Sequence, residues 1–427
     1  MLSGQLTEQT TGLLGGTVEH HTFFSPALGI DKSYNIYLPP GYYQDRRRYP
    51  VLYLFRGHEK EWFDPYQDHS RGGTAIQHLA DELILSGAVS PMIIVGVGLT
   101  SADGSIYGLG VNFVNPRLAR GVEGIGSGLF ETYLTRDVIG HIDATWRTRS
   151  QARYRGADGF SLGGFTAVMM GIKYPELFSS VGSYDGSYMF HNLHDPRRQT
   201  GRPDDRLWMR RDGMFAPAFR PTGKRRYDAA YMNLYNPLSL LEKMPSETRA
   251  RLEKNRFYLR SASSDGHQGN RDRNVHLVTL FQLYGIRNHA SSLILSSDAH
   301  HTWKFADLHM RETLRKHAEA FGFREKPIKR KRVLPNVAIK TVRDGNGVCQ
   351  TPSMSYKVYG ATHLRVEVCT LHGDYVTTLK DEVHHPGRHQ AEWDGLNAHG
   401  HLMGSGVYFA RITSPNGTIQ QKWVFLR

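Results

Sequence analysis

Ser161 lies in Gly159-Phe160-Ser161-Leu162-Gly163-Gly164, a serine bracketed by glycines where a strand-like run gives way to a helix-like one. Upstream, Arg153-Tyr154-Arg155-Gly156 leads in like a strand, and downstream residues 163–174 carry an apolar stripe at helical spacing. Small neighbours let the backbone take dihedrals that a Cβ would forbid, so the hydroxyl can project above a sheet. The helix that follows would aim its first N–H groups at a developing oxyanion. A Gly-rich turn with an exposed serine is the plainer reading of the same residues, so the partners decide. An activated serine needs a base within hydrogen-bond reach and a carboxylate to orient that base.

Both partner types follow downstream. The strand-like run Phe257 to Ser264 ends at Asp265-Gly266, and the run 291–297 ends at Asp298-Ala299-His300-His301-Thr302-Trp303. Groups at the carboxyl ends of parallel strands share one rim of a sheet, and the chain order Ser, Asp, His suits a serine hydrolase on an open sheet. Asp298 is a rival acid, but it is too near the histidines in sequence to reach round to them. On these grounds either His300 or His301 can be the base. Adjacent histidines on one loop do not face a single ion comfortably, so neither a metal nor any other cofactor is expected. The oxyanion donors would be the backbone N–H groups of Leu162, next to the serine, and of His58, in the Arg56-Gly57-His58 loop after an apolar strand. His20-His21 and His384-His385 lie outside this rim and read as surface residues.

The elements that must position these groups can be traced along the chain. Strand-like runs at Tyr34 to Leu38, Val51 to Phe55, Met92 to Val97, Ser179 to Tyr184, Phe257 to Ser264 and Ser291 to Leu295 alternate with helical spacing at 74–85, 129–146, 163–174, 272–284 and 303–320. This alternation up to residue 322 predicts a doubly wound, mostly parallel α/β sheet. Residues 187–240 break the rhythm with Trp208, Met214, Phe215 and Phe219 among arginines and prolines, as a lid over a site or a surface excursion would. From residue 336 the pattern becomes short alternating strands between Gly- and Asn-rich turns, which predicts a small all-β sandwich. The layout is therefore a tail at 1–17, an α/β domain at 18–322, a basic linker at 323–335 and a β-sandwich at 336–427.

Composition sets outer limits. The chain has 427 residues, 39% hydrophobic and 22% charged, too many for one typical domain. The net charge of +13 favours acidic partners. Much of the excess sits in residues 210–226 and 324–332, which read as solvated loop and linker, and no nucleic-acid motif accompanies them. No run approaches the ~20 apolar residues of a membrane span. The first residues show neither a basic region nor an apolar core of a signal peptide, which leaves a cytoplasmic protein or one whose leader lies outside this numbering. Cys349 and Cys369 could pair after export or stay as two buried thiols.

Taken together, these residues resemble the putative-esterase family of α/β-hydrolases, which includes feruloyl and acetyl-xylan esterases, S-formylglutathione hydrolases, enterobactin esterases and mycolyltransferases. The resemblance spans residues 18–322. It rests on Ile36-Tyr37-Leu38-Pro39-Pro40-Gly41-Tyr42, Tyr49-Pro50-Val51-Leu52-Tyr53-Leu54, the Ser161 turn, Lys173-Tyr174-Pro175-Glu176-Leu177-Phe178, Asn236-Pro237 and Ala299-His300-His301-Thr302-Trp303. It implies Ser161 as nucleophile, His301 as base and Asp265 as acid. The chain departs from the family at Arg56-Gly57, at Asp185-Gly186 and at Ala299-His300. Arg56, Asp185, Trp208, His300 and Trp303 are accordingly the candidate substrate contacts. The tail resembles the Ig-like C-terminal domain of flagellar hook-capping proteins, through residues 391–396 and 404–410, with Trp393 as a core or turn residue. That likeness implies export or surface attachment. The expected activity is a serine carboxylic-ester hydrolase, forming an acyl-enzyme on feruloyl, acetyl or other carbohydrate-linked or aryl esters. An acyltransferase using a sugar or lipid hydroxyl, and a non-catalytic binding module, remain as alternatives.

Overall fold

The computed structural model describes residues 15–189, 212–225, 227–263, 269–323, 337–340, 351–370, 374–414 and 417–426. The chain divides into two units, Met1–Glu325 and Lys326–Arg427. In the first unit, β1 (Thr17–Ser25) and β2 (Ile30–Leu38) form an antiparallel hairpin, with Ser25 paired to Ile30 across the turn. They precede β3 (Val51–Phe55), β4 (Ile93–Val97), β5 (Arg155–Gly159), β6 (Ser180–Tyr184) and β7 (Arg256–Arg260). The seven strands lie in the order β1-β2-β4-β3-β5-β6-β7. β2 meets β4 antiparallel, and every pairing from β4 to β7 is parallel. β3 through β6 are buried along their whole length, which is why they read as continuous runs rather than alternating ones.

Two helices matter most to the site. The helix Leu162–Lys173 follows β5 directly and is buried from Leu162 to Ile172, so its sequence is apolar almost all round. Its close approach to the sheet depends on Gly163, where a Cβ would lie 1.8 Å from the Phe55 carbonyl oxygen. The helix Trp303–Ala320 is amphipathic and lays its apolar stripe against β6 and β7.

Three expectations are revised in this unit. β1 was not anticipated, because its pattern of half-buried and exposed residues carries little apolar signal. The run 291–295 is not a strand. It touches the sheet through a single parallel bridge, Ser261 to Ile294, and remains half-exposed beyond β7. The described part of the 187–240 segment is largely helical, at Asp212–Phe219, Ala229–Met232 and Pro237–Lys243. Trp208 lies outside the described residues.

The second unit contains β8 (Val337–Lys340), β9 (Ser353–Val358), β10 (Thr362–Thr370), β11 (Tyr375–His384), β12 (Gly387–Glu392), β13 (Gly406–Ser414) and β14 (Gly417–Phe425). They form two antiparallel sheets, β11-β10-β13-β14 and β12-β9-β8. Trp393 is fully buried against Tyr408 and Phe425, and its indole N–H donates to the Leu396 carbonyl. His384, read as a surface residue, is instead buried and hydrogen-bonded to the Tyr356 hydroxyl at 2.8 Å. The strand period turns it inward where His385 turns out. Cys369 is a buried free thiol, and Cys349 lies outside the described residues.

Candidate active site

Ser161 ends the turn out of β5 with φ 59° and ψ −119°, a conformation costly for any residue with a Cβ. Its N–H donates to the Tyr184 carbonyl at 3.1 Å, so the serine is tied to the end of the neighbouring strand β6. The residue after Tyr184 is Asp185, also at positive φ, 47°. Two strained non-glycine residues thus sit side by side at the carboxyl ends of two adjacent parallel strands. Strain of this kind persists only where its surroundings over-determine it, and it concentrates at functional sites.

His301 lies on the same rim, with its ring centroid 4.6 Å from that of Phe160, the residue before the serine. Its Nδ1–H donates to Asp185 Oδ2 at 2.5 Å. That bond fixes the tautomer in which Nε2 is left to accept a proton. Asp185 is 2% exposed, and its other oxygen accepts from Ser261 Oγ at 2.8 Å and from the Ala262 N–H at 3.2 Å. Burial pushes the Asp185 carboxyl up, but the hydrogen bond and charge of His301, with Ser261 and the Ala262 N–H, hold it below the ordinary carboxylate range. The Asn270 amide closes the group, 3.3 Å from the Asp185 carbonyl oxygen and 3.4 Å from His301 Nδ1. Ser161 Oγ itself bonds to Ser187 Oγ at 3.3 Å.

The anticipated residues fall in different places. Asp265 lies outside the described residues. Asp185, expected as a substrate contact, is corrected: its carboxylate is buried and occupied by His301. Asp298 is exposed. The His58 N–H, expected as an oxyanion donor, is corrected as well. It donates to Glu61 Oε1 at 2.7 Å, because Glu61 turns back over the loop three residues later. Leu162 opens its helix, so its N–H belongs to the first turn, which lacks intrahelical acceptors. Trp303 is also corrected from substrate contact to core, 5% exposed and edge-on to Trp62 and Phe160 under the Arg71 guanidinium. His300 is exposed, with its ring near Phe305 and its carbonyl accepting from the Tyr184 hydroxyl. The Arg56 guanidinium lies 5.3 Å above the Phe160 ring, and its Nε and Nη1 are buried without a hydrogen-bond partner.

Beyond His58, a cleft of about 1250 Å³ opens between Lys32, Glu59, Thr100, Arg117 and Arg120. The Lys32 ammonium donates to the Thr100 and Gly124 carbonyls. Burial lowers its pKa to about 8, against the opposing pull of Glu59. Ser261, Asn270 and Ser187 escaped the sequence reading, since isolated polar residues in loops and at a helix start carry no spacing signal. Among the described residues no group of three or more His, Cys, Asp or Glu side chains could hold a metal ion.

The chain is similar to known proteins. Over 190 residues the chain is 30% identical to an endo-1,4-beta-xylanase/feruloyl esterase of Xylanibacter ruminicola, covering 43% of this chain and 23% of that protein. Over 176 residues it is 30% identical to the esterase MT1326 of Mycobacterium tuberculosis, covering 39% of this chain and 32% of that protein. The chain thus spans less than a third of the length of these curated relatives. A solved structure of a ferulic acid esterase superposes with a TM-score of 0.53 at 18% identity, over 72% of this chain and all of that one, which shows an α/β-hydrolase fold. No described helix is long and apolar enough to cross a membrane. A family model described as putative esterase matches residues 25–228, the stretch that holds both residues at positive φ, Ser161 and Asp185, and the chain is similar to that family there.

Proposed function

We propose that the protein is a serine carboxylic-ester hydrolase in which Ser161 is the nucleophile, His301 the base and Asp185 the acid that orients it. The observation that carries this reading is the His301–Asp185 bond of 2.5 Å on the rim where the strained Ser161 turn emerges. Ser161 Oγ attacks the ester carbonyl carbon as His301 Nε2 takes its proton. The tetrahedral oxyanion is stabilised by the Leu162 N–H at the helix N-terminus. As the intermediate collapses, His301 returns the proton to the leaving alcohol oxygen, and Ser161 keeps the acyl group. Water then repeats the sequence, giving its proton to His301 and releasing the acid. Asp185, held ionised by its hydrogen bonds, stabilises the imidazolium formed in each half.

The proposed substrate class rests on the relatives. An aryl or acetyl ester on a carbohydrate matches the endo-1,4-beta-xylanase/feruloyl esterase to which the chain is similar. Replacing Ser161 by Ala should lower kcat on a short nitrophenyl ester by at least ~10³-fold and abolish labelling by a fluorophosphonate, with the melting temperature little changed. Parent-like turnover by that variant would remove Ser161 from the mechanism. Adding sugar or lipid alcohols and analysing products separates hydrolysis from acyl transfer.

A further inference from the structure

Beneath the site lies a second polar group that the reaction does not use. Asp158 precedes Ser161 by three residues on β5, and its carboxylate is wholly buried. Oδ1 accepts from the Gly159 N–H at 2.7 Å and from His309 Nε2 at 3.3 Å. Oδ2 accepts from Thr313 Oγ1 at 2.9 Å and from His317 Nε2 at 3.1 Å. Four donors thus fill the four acceptor positions a carboxylate offers. His317 continues the chain of bonds, its Nδ1 accepting from Ser180 Oγ at 2.6 Å. Asp158, Ser180, His309 and His317 are 0% exposed and Thr313 is 2% exposed. Burial alone would push the Asp158 carboxyl up, yet the two imidazoles outweigh it and keep the group ionised.

The position of this cluster says more than its bonding. Asp158 is on β5, the strand that delivers Ser161. Ser180 begins β6, the strand that delivers Asp185. His309, Thr313 and His317 are on the helix Trp303–Ala320, which starts two residues after His301. The Asp158 carboxylate therefore ties β5 to the helix, and His317 carries the link on to β6 through Ser180. Room for it is specific: a Cβ at Gly182 on β6 would lie 2.0 Å from Asp158 Oδ2. The His309 ring also lies 5.8 Å from Tyr184, whose hydroxyl holds the His300 carbonyl at 2.6 Å.

As a source of stability the cluster is a poor choice. Desolvating a charge is costly, and apolar side chains of similar volume often hold a helix as well or better. Apolar packing, however, is non-directional, whereas three bonds from His309, Thr313 and His317 to one carboxylate set the helix in a single axial and rotational position. A misplacement of about 1 Å at a reacting pair can cost ~10²-fold in rate.

We propose that Asp158, His309 and His317 are positioning residues, which hold the helix Trp303–Ala320, and with it His301, in register with Ser161 and Asp185. The inference rests on the esterase reading above. It is tested with D158N, which sets an amide donor against two of the four donors, and with H309F and H317F, which keep ring volume and remove the bonds. Fluorophosphonate labelling reports Ser161 reactivity without knowledge of the natural ester. It is paired with kcat and KM on a nitrophenyl ester, measured well below each variant's melting temperature. The expected result is a fall of ~10-fold or more in labelling rate and kcat, with KM within about twofold. The downfield Nδ1 proton resonance of His301 should also shift or broaden in the NMR spectrum. Folded variants that label and turn over at the parent rate, with an unchanged His301 resonance, would overturn the proposal and leave a stabilising role alone. A parent chain that is never labelled would instead overturn the esterase reading, so the two failures are distinguishable.

Discussion

At the scale of single residues, the instructive case is the acid. Asp265 has the sequence position that the family resemblance implies, at the end of a strand-like run and upstream of the histidines. Asp185 was legible only as a departure from the family, a carboxylate at the end of β6. Its partnership with His301 spans 116 residues of sequence, so no local spacing could disclose it. The assignment is testable by comparing two isosteric variants. Asp185→Asn should lower kcat by ~10³- to 10⁴-fold, because an amide no longer selects the right imidazole tautomer or stabilises the imidazolium. Asp265→Asn should change kcat by less than ~10-fold. The reverse ranking in steady-state kinetics would return the orienting role to Asp265. The expected oxyanion donors divide in the same way: Leu162 follows from the helix start, but the diversion of the His58 N–H to Glu61 depends on how a short loop folds back.

At the scale of elements, the turn from β5 into the helix Leu162–Lys173 is where local sequence and tertiary packing agree. The glycines of the motif do two jobs, and they separate at Gly163. Its backbone needs no positive φ, yet its missing Cβ lets the helix N-terminus sit on the Phe55 carbonyl of β3. Gly163→Ala should therefore destabilise the first unit by ~1–3 kcal/mol or more through overpacking. Urea denaturation would check this, and an unchanged midpoint would refute the close approach. The run Ser291 to Leu295 shows the opposite outcome. Its apolar residues look like a strand, but outside β7 it finds only one bridge and leaves Ser291, Ser292 and Ser297 exposed. Strand formation there depended on a partner edge rather than on propensity.

At the scale of the whole first unit, the buried charges make stability depend on pH at both ends. Burial raises the Glu59 carboxyl, but the hydrogen bond and charge of His58, with His20, outweigh it and bring it to about 2 from an ordinary 4.5. The unfolded chain therefore takes up this proton first as pH falls. The Glu59 contribution is complete above pH 4.5 and disappears between 4.5 and about 2, and Asp185 and Asp158 shift in the same direction. Lys32 has the opposite consequence. Its folded pKa is about 8 against 10.5 unfolded, so between these values the unfolded chain holds the extra proton and raising pH favours the fold. Thermal melts should show stability dropping below pH 4.5. In Lys32→Met, the part of the pH dependence between about 8 and 10.5 that comes from this lysine should vanish. A variant whose profile matches the parent in that window would contradict the burial of the Lys32 ammonium.

Read along the chain, most of the α/β alternation, the Ser161 turn, the rim histidines and the change of pattern into the C-terminal β unit were legible, because each is written in local periodicity and in turn residues. The neighbours across the sheet were not. Whether an aspartate meets a histidine, whether a loop N–H stays free and whether Trp303 faces substrate or core depend on which strands lie side by side and how far each helix slides along them. Those relations join residues far apart in sequence, through packing and hydrogen bonds that form only once the chain has closed on itself. Ser161 is therefore visible in its own pentapeptide, while the carboxylate that meets His301 became visible only when β5 and β6 lay next to each other.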